Sequence, residues 1–264
     1  MKPLSIILLA LALALSACAP RTPPAPPTQP VSATLGIAPT QAPTAAVKAA
    51  PAISMDLNGI AQGFNSQVVA AVPPGPDKPW WEPMPAYTLL DLLGYPVGKH
   101  QLAPQIFIYP VSELGVNETA AKAAADLQAL LQTLQPGDKV PFLPLYNSSQ
   151  VMHPALKSLD FQDGRGVRYL TMYSQGVVPV NNNELFYTYQ GLTSDGRYYV
   201  SAVLPVNLPS LPADENATSA LPTDITQYQA YLANTLAMLE AQSPSSFTPD
   251  LSKLDAMMQS LQVK

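Results

Sequence analysis

Residues 53 to 264 predict an α+β domain: an antiparallel sheet of about seven or eight strands covered by about three helices. Three observations carry this. Four segments between 156 and 204 alternate apolar and polar residues with a period of two and are rich in Tyr, Val and Phe. Asp163-Gly164 and Asp195-Gly196 stand between neighbouring segments as tight-turn dipeptides, so the four read as an antiparallel meander. Three further stretches repeat apolar residues at helical spacing.

In chain order, Ser54 to Ala61 and Asn65 to Val72 read as two strands around Gly63, a hairpin closed by Pro73-Pro74-Gly75-Pro76. Trp80 and Trp81 follow on a loop between Pro79 and Pro83. Tyr87 to Leu93 and Gln105 to Tyr109 are strands, and because Ile106-Phe107-Ile108-Tyr109 is apolar on both faces, it is expected inside the sheet. Asn117 is placed to cap a helix over 118–134, with Ala120, Ala123, Ala124, Leu127, Leu130, Leu131 and Leu134 on one stripe and Pro136-Gly137 as its stop. After Pro141, Pro144 and Pro154 come the meander strands, 156–162, 167–174, 184–193 and 197–204. Two helices close the chain. Thr223 caps the first, with Tyr228, Leu232, Leu236 and Leu239 on its stripe. In the second, Pro249 follows Thr248 at the first turn, and Leu251, Leu254, Met258 and Leu261 repeat.

The 52 residues before this domain are of a different kind. Leu4 to Leu15 is a twelve-residue apolar run behind Lys2, too short to span a bilayer core that needs roughly 20 helical residues. Residues 1–17 therefore read as a signal peptide. Leu15, Ser16 and Ala17 directly precede Cys18, the single cysteine of the 264-residue chain. That quartet resembles the lipobox of bacterial lipoproteins, and the resemblance implies diacylglycerol on the Cys18 sulfur with cleavage leaving Cys18 first in the mature chain. Two or three acyl chains, at about 0.8 kcal/mol per buried methylene, hold a protein durably where one does not. Residues 18–52 read as a disordered Pro/Ala/Thr-rich linker, stiffened toward polyproline II, with an extended reach on the order of 100 Å.

Charge separates partner classes. Of 13 basic residues, Lys2, Arg21 and Lys48 precede residue 53, leaving 10 against all 18 acidic residues. Such a domain offers no footprint for nucleic acid and is repelled by anionic lipid, so membrane attachment falls to the N-terminal lipid. With 47% hydrophobic and 12% charged residues and 30 prolines, the chain is a Pro-rich globular protein with a sparsely charged surface.

Chemistry-bearing motifs are sparse. His100 and His153 are the only histidines, more than fifty residues apart, with no second ligand at helical spacing, so no metal is expected. Nucleophile elbows, phosphate-binding Gly-rich loops and dinucleotide fingerprints are missing, so no cofactor and no catalytic residue is nominated. The most suggestive group is aromatic: Tyr169, Tyr173, Tyr187 and Tyr189 in the meander, with Trp80 and Trp81 on their loop. Alternation puts Tyr169 with Tyr173, and Tyr187 with Tyr189, on common strand faces. Such residues suit either a binding face for a protein or glycan or cross-strand packing in the core.

The run Leu185 to Val206, with Phe247-Thr-Pro-Asp-Leu, resembles uncharacterised lipoproteins of Chloroflexi-type bacteria, a likeness that extends over most of the chain after residue 53 and implies no activity. The meander followed by a helix and a Phe-led terminal helix, over about residues 105 to 264, also resembles the PsbP/Mog1 α-β-α sandwich, which implies assembly or binding roles; the N-terminal hairpin departs from it. The expectation is a lipid-anchored protein of the bacterial cell envelope, on the extracytoplasmic face, presenting a non-enzymatic binding or assembly domain. Two alternatives stand beside it: an extracytoplasmic hydrolase built around His100 or His153, and a solute-binding component of a transporter, against which the lack of alternating βα repeats counts.

Overall fold

The computed structural model describes residues 50–137, 139–216 and 224–264. The expected signal peptide, the lipobox Leu15 to Cys18, the linker up to residue 49 and the cap at Thr223 lie outside the described residues.

The elements, in order, are β1 (Ile53–Ser54), β2 (Gly63–Val69), β3 (Tyr87–Leu93), β4 (Gln105–Pro110), α1 (Glu118–Thr133), β5 (Ser149–Gln150), β6 (Lys157–Phe161), β7 (Gly164–Thr171), β8 (Tyr173–Ser174), β9 (Phe186–Thr193), β10 (Tyr198–Pro205), α2 (Ile225–Glu240), α3 (Leu251–Gln259) and β11 (Gln262–Val263). Seven strands form one antiparallel sheet in the order β2-β3-β4-β10-β9-β7-β6. The chain lays down β2 to β4, crosses through α1 to the far edge, and returns strand by strand until β10 lies against β4. β6, β7, β9 and β10 are the expected meander, and β4 sits inside the sheet as its apolar pattern requires.

Both faces of the sheet are covered. One carries Leu90, Ile106, Ile108, Leu170, Tyr187, Tyr189, Val200 and Leu204 beneath α2 and α3, which add Leu239, Leu254, Met257 and Met258. The other carries Leu89, Phe107, Tyr109, Val167, Tyr169, Phe186 and Tyr199 beneath the Ala/Leu stripe of α1. Each large apolar side chain so buried contributes about 1.5–3 kcal/mol. In β9, consecutive residues from Phe186 to Gly191 are all buried, so its polar side chains must find partners inside the protein.

The structure corrects the sequence reading at several places. Of the expected strand Ser54 to Ala61, only Ser54 is in a strand, the last residue of β1: the Asp56 carboxylate accepts the Asn58 N–H at 2.9 Å, and Asn58 and Gly59 take left-handed φ values of 50° and 71°, turning the chain. The N-terminal hairpin is therefore replaced by β2 pairing with β3, while Ile53 pairs with Val263 at the other end of the domain. The β6–β7 turn is Gln162-Asp163, with Gly164 opposite Phe161 in the ladder. Asp224 caps α2, accepting from the Thr226 and Gln227 N–H groups. Asp250 caps α3 after a cis Thr248–Pro249 bond, so Pro249 precedes the helix. α1 follows the expectation except at Leu134, which leaves the buried stripe: it ends the helix at φ 52° and is exposed.

Candidate functional site

The six aromatic residues singled out by sequence do not form one face. Tyr169, Tyr187 and Tyr189 are fully buried, and each hydroxyl donates to a fixed internal acceptor: the Pro141 carbonyl at 3.2 Å, the Asp255 carboxylate at 3.1 Å and the Leu159 carbonyl at 3.0 Å. Tyr169 points to the α1 side, Tyr187 and Tyr189 to the α2–α3 side. With helices on both faces, a tyrosine-rich sheet surface does not exist, and cross-strand packing is their role. Burial pushes their phenols well above the usual tyrosine range, so they stay neutral.

Tyr173 and Trp80 border a common cavity. They line a cleft of about 200 Å³ together with Phe142, Pro144, Tyr146 and Gln150, its rim formed by Lys122 and Asp126 of α1 and by Lys139. A second hollow of about 230 Å³ shares Tyr146, Ser148 and Tyr173 with it. The Tyr146 and Tyr173 rings meet edge to face at 5.2 Å, and Phe142 lies 4.7 Å from Tyr173 and 5.3 Å from Tyr146. Trp80 is 52% exposed and, among the described residues, stacks only on Trp81, edge-on at 5.7 Å.

Three polar residues hold these walls. Asn117 uses Oδ1 to accept from the Thr119 and Ala120 N–H groups, capping α1, and uses Nδ2 to donate to the carbonyls of Trp80 at 2.6 Å and Pro83 at 3.1 Å. The Trp80 loop is thereby tied to the helix start. Gln190, buried in β9, accepts from the Leu143 N–H at 3.0 Å and the Tyr199 hydroxyl at 2.7 Å, and donates to the Leu143 carbonyl, to Thr188 and to Ser201. Ser201 donates to the same carbonyl. This network grips the backbone between Phe142 and the cis Leu143–Pro144 bond. Gln150 of β5, opposite Tyr173 in a two-stranded ladder, accepts from the Val140 N–H at 2.8 Å and donates to the Val140 carbonyl and the Tyr173 hydroxyl. Tyr146, Phe142, Gln150 and Gln190 were not nominated from sequence. A Pro-flanked Phe and Tyr were visible there, but nothing local says they face Trp80.

The histidines are placed differently. His100 donates from Nε2 to the Leu185 carbonyl at 2.9 Å, while Nδ1 accepts from the Leu102 N–H at 2.9 Å. Burial lowers its pKa, so the ring is a neutral brace with both nitrogens engaged by backbone. Neither His100 nor His153 forms an ion pair with a carboxylate among the described residues. The buried polar centre is structural: Asp255 of α3 accepts from Arg168 Nε and the Tyr187 hydroxyl, each at 3.1 Å, and meets Lys157 at 2.6 Å, binding α3 to three strands. Among the described residues no cluster of three or more His, Cys, Asp or Glu is placed to hold a metal, and no helix is long and apolar enough to cross a membrane.

No family model matches the chain, and searches of curated proteins and of solved structures return no match.

Proposed function

We infer that this chain is a lipid-anchored protein of the bacterial cell envelope, held through Cys18 on the extracytoplasmic face, whose folded domain is a non-enzymatic binding module reading its partner at the Trp80–Tyr146–Tyr173 cleft. The observation that carries the site is Trp80. A large indole left half in water costs the domain apolar burial it would otherwise gain, yet its loop is fastened by a buried asparagine rather than left loose. Presenting a rigid aromatic face beside two further rings is the arrangement of a binding hot spot. The anchor and location rest on the apolar run, on Leu15, Ser16, Ala17 and Cys18, and on the resemblance to lipoproteins of Chloroflexi-type bacteria. The sparse catalytic motifs and the engaged His100 favour binding over hydrolysis.

The test is crosslinking and pull-down from native membranes with the wild-type chain and Trp80→Ala. We expect a partner in the wild-type capture that drops by about tenfold with Trp80→Ala, while the variant still melts cooperatively, losing only about 1 kcal/mol from the half of the indole that is buried. Equal capture by both chains would move the recognition site elsewhere. Hydrolysis of a supplied substrate that is lost in His100→Ala or His153→Ala would replace the binding reading with an enzymatic one.

A further inference from the structure

The seven-stranded sheet ends in two edges that are built differently. At one, β6 is short, carries Lys157 and Asp160, and is joined to α3 by the Lys157–Asp255 ion pair, while the Gln162 N–H just beyond it donates to the Leu261 carbonyl at 3.2 Å. Charges and a covering element keep an edge strand from pairing with another chain. At the other edge, β2 runs Gly-Phe-Asn-Ser-Gln-Val-Val from Gly63 to Val69, with no charge and no proline, and pairs with β3 at every position without a bulge. Asn65 to Val68 are exposed, Val68 by 50%. The ladder fixes which backbone groups face out. The Leu92 N–H donates to the Pro104 carbonyl, so even-numbered residues of β3 turn their backbone to β4 and odd-numbered ones to β2. Gly63, Asn65, Gln67 and Val69 therefore bond β3. The N–H and C=O groups of Phe64, Ser66 and Val68 point outward, with no partner among the described residues.

The strand that this edge fits is itself. Phe64 to Val68 form a chemical palindrome about Ser66: when two antiparallel copies meet with Ser66 opposite Ser66, Phe64 faces Val68 and Asn65 faces Gln67. Phe64 and Val68 lie on the α2–α3 side, where Phe64 packs on the core and Val68 is left in water. Pairing covers the Val68 of each copy with the Phe64 of the other. On the α1 side Gln67 donates from Nε2 to Asp91 at 3.1 Å, which leaves its Oε1 to accept from the Asn65 amide of the second copy. That bond and one from Gln105 at 2.8 Å hold the Asp91 carboxylate on β3, one strand back from the seam, so two acidic domains meet along a neutral line. A register shifted by one residue puts the outward backbone groups out of phase, and one shifted by two loses the Phe64–Val68 pairs. The centred register makes about six inter-chain hydrogen bonds. We propose that β2 is a homodimer edge, through which two copies of the chain join antiparallel about a two-fold axis at Ser66 and form one continuous sheet. None of these residues lines the Trp80 cleft, so the dimer stands or falls apart from that site.

The full-length chain in detergent is followed by sedimentation equilibrium beside Ser66→Lys and Ser66→Glu. Ser66 is exposed, so circular dichroism melts of both variants should match wild type. Wild type is expected to pass from monomer to dimer as concentration rises. Each charged variant sets two like charges opposite each other across the axis and should dimerise about tenfold more weakly. An equimolar mixture of the two should regain the dimer, because Lys then faces Glu. In Ser66→Cys the two Cα atoms stand about 5.5 Å apart, a span that a disulfide closes, so mild oxidation should crosslink it; Asp160→Cys on the guarded edge should stay uncrosslinked, with wild type as the control for Cys18. A wild type still monomeric at about 0.1 mM, well above the midpoint of a micromolar contact, overturns the proposal. Protection of the Phe64, Ser66 and Val68 amides from hydrogen exchange in that monomer would give the edge to another segment of the same chain. A dimer untouched by Ser66→Lys, or one not rebuilt in the mixture, also overturns it. So does a monomeric chain that captures a different protein and loses it with Ser66→Lys, which would make the occupant a partner's strand.

Discussion

His100 shows how a single residue sets a pH response without taking part in chemistry. Its folded pKa lies below the ordinary 6.5 because burial disfavours the charged ring by more than its backbone contacts to Leu185 and Leu102 favour it. The unfolded chain therefore binds the proton more readily. The stabilisation is whole above the unfolded value and is lost as pH falls through the folded one. The melting temperature should fall on acidification from about pH 7 to about pH 5, and the slope over that window should shrink in His100→Gln. Asp195, held down to about 2 by the Arg197 backbone N–H, the Thr193 hydroxyl and the Arg197 side chain, responds well below that range. A second residue-scale constraint is the glycine pair Gly166 and Gly191, opposite each other in β7 and β9. The Tyr189 ring lies across both: a methyl on Gly191 would stand 2.6 Å from its Cε1, and one on Gly166 would collide with its hydroxyl. Gly191→Ala should destabilise by about 1–3 kcal/mol in chemical denaturation; an unchanged midpoint would mean the ring has another place to go.

At the scale of elements, α1 does more than cover the sheet. Its cap residue is also the clasp of the Trp80 loop, so two substitutions at Asn117 separate the roles. Asn117→Ala removes both and should cost about 1–2 kcal/mol, with faster amide exchange at Trp81 and Glu82. Asn117→Asp keeps an acceptor for the helix and turns a carboxylate toward the Trp80 and Pro83 carbonyls. It should hold most of the helix stability while the loop loosens. α1 was legible in sequence because cap, stripe and Pro-Gly stop are all local. The N-terminal hairpin was not, although Asn58-Gly59 was a turn signal in plain view; a period-two pattern does not say which strand lies alongside. The Asp caps of α2 and α3 were missed by one or two residues because Thr223 and Thr248 beside them are also cap formers and Pro249 suits a first turn. Of the cleft, Trp80 and Tyr173 were visible as unusual aromatics. Tyr146 and its supports were not, since Gln190 reaches Leu143 across 47 residues of chain.

For the whole molecule, the acidic domain and the N-terminal cysteine make one prediction together. Wild-type chain should stay with membranes through a high-salt wash, because no electrostatic attachment is available to be screened. Cys18→Ala should appear in the soluble fraction without the added lipid mass; if it stays with membranes, the lipobox reading is wrong. The antiparallel α+β class, the meander and the interior position of β4 followed from patterns a few residues long, because period-two alternation, tight-turn dipeptides and helix caps act between near neighbours in the chain. Whether the tyrosines would face water or a second layer was not decided locally. That depended on α1 docking on one face while α2 and α3 docked on the other, contacts between segments far apart in the chain that bury both sides of β9 and β10. The same docking left Trp80 outside, beside Tyr146 and Tyr173, where the chain's one ready-made aromatic cleft now lies among the described residues.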